Sequence, residues 1–374
     1  MGVLRVLLAL SVVLAHTGPL WGIRLCGGEV AVETFFIISG FYMSLILGTK
    51  YVGAGRYKLF ITNRLLRIFP VYWGLLVLIV ITSSVSGALT GHWKTLAPYV
   101  QLHQYMGPGA FLLAVVSNIV IFGQDVVMFL GLDPQNGSVY FTQNFNHERI
   151  PFYWFSVIMP AWTLGLELVF YLMAPLILGR PVRLVLGLIM GSLYLRLFIY
   201  RGLGWMHDPW TYRFFPTELF FFLAGNIAYR VYGRIRDGRT FKACAAVLAL
   251  ALFAAIFFYA NIPLGPGIKL WAYSIMAVVS IPFIFYLSRS SAIDSRIGDL
   301  SYPIYLVHLF VIQNSGFTGE QLARDNFKIL IVLALVCFSA YILLKFIADP
   351  VEKFRQARVV VPGNREPHIL LPPR

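Results

Sequence analysis

Charge is what this sequence has least of. Only 12% of its residues are Asp, Glu, Lys or Arg, against about 25% in a soluble domain. That shortage excludes an ordinary solvated surface, and 59% hydrophobic residues exclude intrinsic disorder. Cysteine is nearly absent. Cys26, Cys244 and Cys337 are scattered, so neither a disulfide scaffold nor a cysteine metal site is expected, and no metal of any kind. Acidic residues are outnumbered, 16 against 30 basic ones, for a net charge of +14. In a soluble chain that excess would suggest nucleic acid. In one this apolar, no nucleic acid is expected. The excess fits cytoplasmic loops rich in Lys and Arg, with membrane lipids and an anionic cofactor as partners.

Long apolar runs are what the sequence has instead. A spanning helix needs about 20 mostly apolar residues, and ten candidates fall near 3–21, 30–48, 69–87, 154–178, 183–200, 214–232, 241–260, 269–288, 300–315 and 327–348. The expected fold class is therefore all-α, a polytopic transmembrane bundle of about ten spanning helices. An eleventh apolar stretch, AFLLAVVSNIVIFGQDVVMFL at 110–130, is interrupted by Ser117, Asn118, Gly123, Gln124 and Asp125. It reads either as a re-entrant or interfacial segment or as an eleventh span. With the N-terminus inside and this stretch not crossing, 21 of the 30 basic residues face the cytoplasm, and nine, Arg196 and Arg213 among them, face outward. Letting 110–130 cross would put RVYGRIRDGRTFK outside, against the positive-inside tendency. Both termini are thus expected in the cytoplasm. The N-terminus reads as an uncleaved first helix, because no small-residue cleavage site follows it. Residues 1–350 read as one membrane domain. Residues 351–374 read as a basic cytoplasmic tail, poorly ordered beyond about 360.

Ionisable residues inside such runs are costly in hydrocarbon and mark functional sites by default. RVLLALSVVLAH, 5–16, begins with Arg5 and ends with His16. Eleven residues make about three turns plus 20°, so both project from one helix face, about 16 Å apart. Alone, Arg5 reads equally as an interfacial anchor and His16 as an interhelical hydrogen bond. Together they suggest a lined path with a cation at one end and a proton-transferring imidazole at the other. GGEVAVETFFIISGF, 27–41, carries Glu33 at a depth where it could orient His16; a structural ion pair is the plainer reading. RYKLFITNRLLRIFPVYW, 56–73, sets Arg64 and Arg67 at i, i+3 on one face, and guanidinium groups suit phosphates. WTLGLELVFYLMAP, 162–175, holds Glu167 mid-helix with Tyr171 one turn on. YRFFPTELFFFLAGN, 212–226, places Arg213 and Glu218 near the outer boundary. LSYPIYLVHLF, 300–310, sets Tyr302, Tyr305 and His308 on one side of a helix.

In this order the motifs resemble the acyltransferase family 3 membrane proteins, over nearly the whole chain and through the closing segment ADPVEKF with Glu352. The resemblance implies an integral membrane enzyme that moves an acyl group, commonly acetyl, from acetyl-CoA or another acyl-CoA to a hydroxyl of a glycan or other carbohydrate acceptor. It implies that His16 is the essential histidine and Arg5 its paired arginine. Arg64 and Arg67 would meet the acyl-CoA, and Glu167 is the buried acid. Thr163 stands where Ser is usual, Leu168 where a second Glu is frequent, and Glu33 where Asp is commoner. Some relatives carry a C-terminal hydrolase-like domain, which is not expected in this chain.

The expected site is therefore catalytic His16, Glu33 and Glu167, donor-binding Arg5, Arg64 and Arg67, and supporting Tyr171, Glu218, Tyr305 and His308. The 88–153 region, rich in aromatics, would bind sugar by stacking. The expected location is the plasma membrane. A transporter or flippase using Arg5, His16, Glu167 and His308 as a proton or substrate path is the alternative, because such residues mark transport paths as well.

Overall fold

Apolar chain in hydrocarbon must satisfy its backbone polar groups within each segment, and the fold is accordingly almost entirely helical. The computed structural model describes residues 1–53, 55–235 and 239–359. The expectations that place Arg236 in a cytoplasmic loop and treat 360–374 as a poorly ordered tail lie outside the described residues. The helices are α1 (Gly2–Thr17), α2 (Gly28–Thr49), α3 (Arg56–Thr90), α4 (Ala97–Leu102), α5 (Pro108–Val120), α6 (Trp162–Ile177), α7 (Val182–Leu197) and α8 (Phe215–Tyr232). They continue with α9 (Arg239–Phe258), α10 (Pro266–Ser288), α11 (Ala292–Asp299), α12 (Ser301–Asn314), α13 (Gly319–Arg324), α14 (Asn326–Leu343) and α15 (Asp349–Val359). A two-stranded antiparallel hairpin, β1 (Leu130–Leu132) and β2 (Val139–Phe141), lies between α5 and α6.

Among the described residues, seven helical stretches are long and apolar enough to cross a membrane: Gly28–Thr49, Arg56–Thr90, Met159–Ile177, Val182–Gly202, Phe241–Asn261, Pro266–Ser288 and Asn326–Val359. The other three expected spans are helical too, as α1, α8 and α12, but shorter or less apolar. The 110–130 stretch is not an eleventh span. Helix α5 ends after 13 residues, about 20 Å at 1.5 Å per residue, short of a bilayer core of about 30 Å. Ile121 then turns the chain at φ 64°. The basic 56–68 segment forms the first turns of α3, which runs unbroken for 35 residues through Pro70.

Small residues set the central crossing. A Cβ on Gly40 of α2 would stand 1.8 Å from the Phe222 carbonyl oxygen of α8, and one on Gly225 would stand 2.0 Å from that of Ile37. The two backbones therefore touch, as small-residue helix interfaces in membranes allow. In the core Leu4, Leu8, Phe41, Leu75, Phe170 and Phe222 have no measurable exposure, and Glu33, Arg196, Glu218 and Asn226 are buried among such side chains.

The two ends of the bundle differ. At one, Asp294 of α11 accepts the backbone N–H groups of Gly2 and Val3 at 2.6 and 2.9 Å, capping α1 from a distance. Arg296 pairs with Asp349, and Arg355 and Arg358 of α15 reach Asn63. This end, which also holds Arg5, Arg64 and Arg67, is the basic end. At the other, residues 91–161 fold into a cap with a small core of its own, built on Ala110, Ala114, Phe152 and Phe155. Asn118 ties it together, donating to the carbonyls of Ala114 and Phe155 and accepting from Val157 N–H. Tyr72 and Trp73 of α3 anchor the cap through the carbonyls of Asn118 and Ile119.

Candidate active site

Helices α1, α2, α3, α6, α11, α12 and α15 enclose a cavity of about 360 Å³ that reaches from the basic end into the bundle. Its wall there carries Arg5, Lys50, Arg64, Arg67 and Arg355 against the carboxylates Asp299 and Glu352. The i, i+3 spacing on α3 brings Arg64 and Arg67 to the same wall. Arg64 is 5% exposed, and its Nε has no hydrogen-bond partner. Burial pushes the Asp299 carboxyl above its ordinary range, and Arg67 and Arg5 pull it only part of the way back. Five cations around two carboxylates make this wall a site for a polyanion.

Deeper in, Glu167 Oε1 accepts hydrogen bonds from Ser39 Oγ at 2.9 Å and from the Tyr171 hydroxyl. Tyr302 donates to the Ile68 carbonyl of α3. The cavity ends at a small joint: the Thr163 hydroxyl donates to the Tyr305 hydroxyl at 3.0 Å, which donates to the Pro160 carbonyl at 3.3 Å. Past the joint, α12 presents His308, whose ring centroid is 6.0 Å from that of Tyr305 and 5.2 Å from that of His16. His16, in the last turn of α1, is exposed and makes no hydrogen bond or ion pair among the described residues. It lies in the field of Arg213. Arg213 is clamped by both Asp208 oxygens, at 2.6 and 2.9 Å, and stacks 4.4 Å over the Trp162 ring.

The site residues read from sequence thus fall into two groups. Arg5, Arg64, Arg67, Glu167, Tyr171 and Tyr305 line one cavity. His16 does not line it: the straight path expected from Arg5 to His16 is interrupted by Tyr305 and His308. The expected orienting bond from a carboxylate to His16 is also absent. Glu167 is engaged by Ser39 and Tyr171, and Glu33 Oε1 by Arg196 at 3.2 Å. Glu218, in the first turn of α8, accepts from the same guanidinium at 3.0 Å and is fully buried. Arg196, in the last turn of α7, is a buried charge knotting α2, α7 and α8. An arginine inside the apolar run LYLRLFIY was the available signal. Lys50 and Arg355 on the cavity wall had no motif to single them out.

A family model described as an acyltransferase domain matches residues 1–345 of this chain. The exopolysaccharide production protein ExoZ of Rhizobium meliloti (strain 1021) is 24% identical over 360 residues, covering 94% of this chain and 98% of that one. An uncharacterized protein of Aquifex aeolicus (strain VF5) is 26% identical over 212 residues, covering 54% of this chain and 90% of its own. No solved structure matches.

Proposed function

The chain belongs to the acyltransferase family 3, as a multi-pass membrane acyltransferase, and on that premise we propose that it carries an acetyl group from acetyl-CoA to a carbohydrate hydroxyl. The observation that carries this reading is the cavity: a cationic mouth continuing into a chamber that ends in hydroxyl groups. The phosphates of coenzyme A fit Arg5, Lys50, Arg64, Arg67 and Arg355, with Arg preferred because its planar fork matches phosphate oxygens. The pantetheine arm then lies along Phe35, Ile38 and Leu164. The deep end, with Glu167, Tyr171, Thr163 and Tyr305, suits a short acyl group and penalises a long alkyl chain, which would displace water from that polar lining.

The acceptor approaches His16 from the far side of the joint. As its oxygen attacks the thioester carbonyl, the hydroxyl proton passes to His16, the C–O bond forms, the C–S bond breaks, and the sulfur leaves as thiolate to be reprotonated. Tyr305 stands where it can donate to the carbonyl oxygen as that atom gains charge. The basic end faces the cytoplasm on the positive-inside tendency, which puts the donor in the compartment where coenzyme A is made. The carbohydrate acceptor is supported by the Rhizobium relative, an exopolysaccharide production protein. The transporter alternative gives way to the family match, which is to an acyltransferase domain over residues 1–345.

The test is [14C]acetyl-CoA turnover by purified protein in nanodiscs, with a mixed pool of hexose oligosaccharides as hydroxyl acceptors. His16→Ala should lower kcat by about 100-fold or more. Arg67→Ala should act mainly on KM for acetyl-CoA, raising it about tenfold. Equal kinetics in wild type and both variants would overturn the assignment.

A further inference from the structure

His308 is fully buried, and its two ring nitrogens are in different situations. Nδ1 lies 2.6 Å from the Tyr305 carbonyl oxygen, one helical turn back. A carbonyl can only accept, so Nδ1 carries the hydrogen and Nε2 carries the bare lone pair. That Nε2 has no hydrogen-bond partner. A buried acceptor left unpaired is destabilising, so its retention beside the exposed imidazole of His16 calls for a use. The neighbouring ring is that of His16, at 5.2 Å between centroids and tilted by 37°. No carboxylate contacts His16 among the described residues, so the partner that usually steadies a catalytic imidazole is missing.

We propose that His308 fills that place: its Nε2 accepts a hydrogen bond from His16 when His16 becomes protonated, so that a second imidazole, neutral throughout, steadies the base. This rests on the functional reading above. In the reaction, the acceptor O–H proton moves to one nitrogen of His16, and the other His16 N–H turns toward His308 Nε2. The ester C–O bond forms as the thioester C–S bond breaks. The proton leaves His16 for the thiolate sulfur, and both imidazoles return to neutral, so nothing is left over. His308 touches neither donor nor acceptor and is a positioning residue. A neutral partner suits this depth better than a carboxylate, because two neutral rings bring no net charge into the bundle between turnovers. The Tyr305 carbonyl fixes the ring through the same turn that places the Tyr305 hydroxyl at the end of the donor cavity. One segment of α12 thus aligns the joint and the base.

The experiment compares wild type with His308→Leu and His308→Gln in the [14C]acetyl-CoA assay with the oligosaccharide pool, on protein that elutes as one species. Leu removes the acceptor atom; Gln keeps an oxygen near the position of Nε2. His308→Leu is expected to lower kcat about 100-fold and to leave KM for acetyl-CoA within about twofold, because the donor site is untouched. His308→Gln should recover most of the loss. Two-bond 1H–15N correlation on 15N-histidine-labelled wild type gives a second readout that needs no turnover, with the hydrogen expected on Nδ1 of His308. A hydrogen on Nε2, or wild-type kcat in His308→Leu, overturns this inference and leaves the acyltransferase reading standing. Wild-type protein that consumes no acetyl-CoA overturns that reading, and this inference with it.

Discussion

At the scale of single residues, the unpaired buried groups carry the most information. Asp125, in the turn that follows α5, is 8% exposed, and its Oδ1 has no hydrogen-bond partner. Burial pushes its carboxyl up to about 6, with the backbone N–H groups of Asp125 and Val126 pulling the other way. A carboxyl raised in the folded state favours folding while it is protonated. Its contribution is therefore complete below about pH 4, its unfolded range, and is lost as pH rises through about 6. Thermal unfolding in detergent should show wild-type stability declining across that window, and Asp125→Asn should flatten the decline. Identical pH profiles for the two proteins would remove Asp125 as the cause. The sequence signals that such residues are special but not whom they meet. Glu33 was legible as a buried carboxylate because it interrupts an apolar run. Its partner Arg196 lies 163 positions away, and nothing local links the two.

At the scale of elements, the helices were legible and their contacts were not. Hydropathy marks each expected span, since a membrane helix must be both long and apolar. It does not reveal that α3 begins twelve residues or so before its apolar run, because a basic amphipathic turn and a basic loop look alike. Nor does it pair α2 with α8. That pairing depends on Gly40 and Gly225, whose missing side chains let the Phe222 and Ile37 carbonyls approach. Gly40→Leu should force the helices apart and cost more than the about 1–3 kcal/mol of ordinary overpacking, because the obstacle is backbone. Gly191, in the middle of α7, has open space around it, so Gly191→Leu is the matched control. Size-exclusion profiles and melting temperatures of the two variants should diverge sharply. Similar behaviour would mean that the α2–α8 crossing tolerates separation.

At the scale of the whole molecule, the cationic cavity and the exposed His16, with Arg213 and Trp162 nearby, lie toward opposite ends of the bundle. Sequence reading placed Arg5 and His16 on one helix stripe and took the stripe for one continuous path. The interruption comes from α6 and α12, distant in sequence, so no periodicity within α1 could have disclosed it. What separates the two is little more than Thr163, Tyr305, the Pro160 carbonyl and the two imidazoles. A membrane holding such a protein must still sustain an ion gradient, and each turnover brings polar groups within one residue of bridging it. The joint is therefore expected to act as insulation as well. Wild-type protein in liposomes should dissipate an imposed pH gradient no faster than empty vesicles, while Thr163→Ala combined with Tyr305→Ala should discharge it, as dye quenching would record. Equal leak rates would put the seal elsewhere. On this view the residues that limit the reach of the acyl group also set how much gradient a cell spends to keep the enzyme in its membrane.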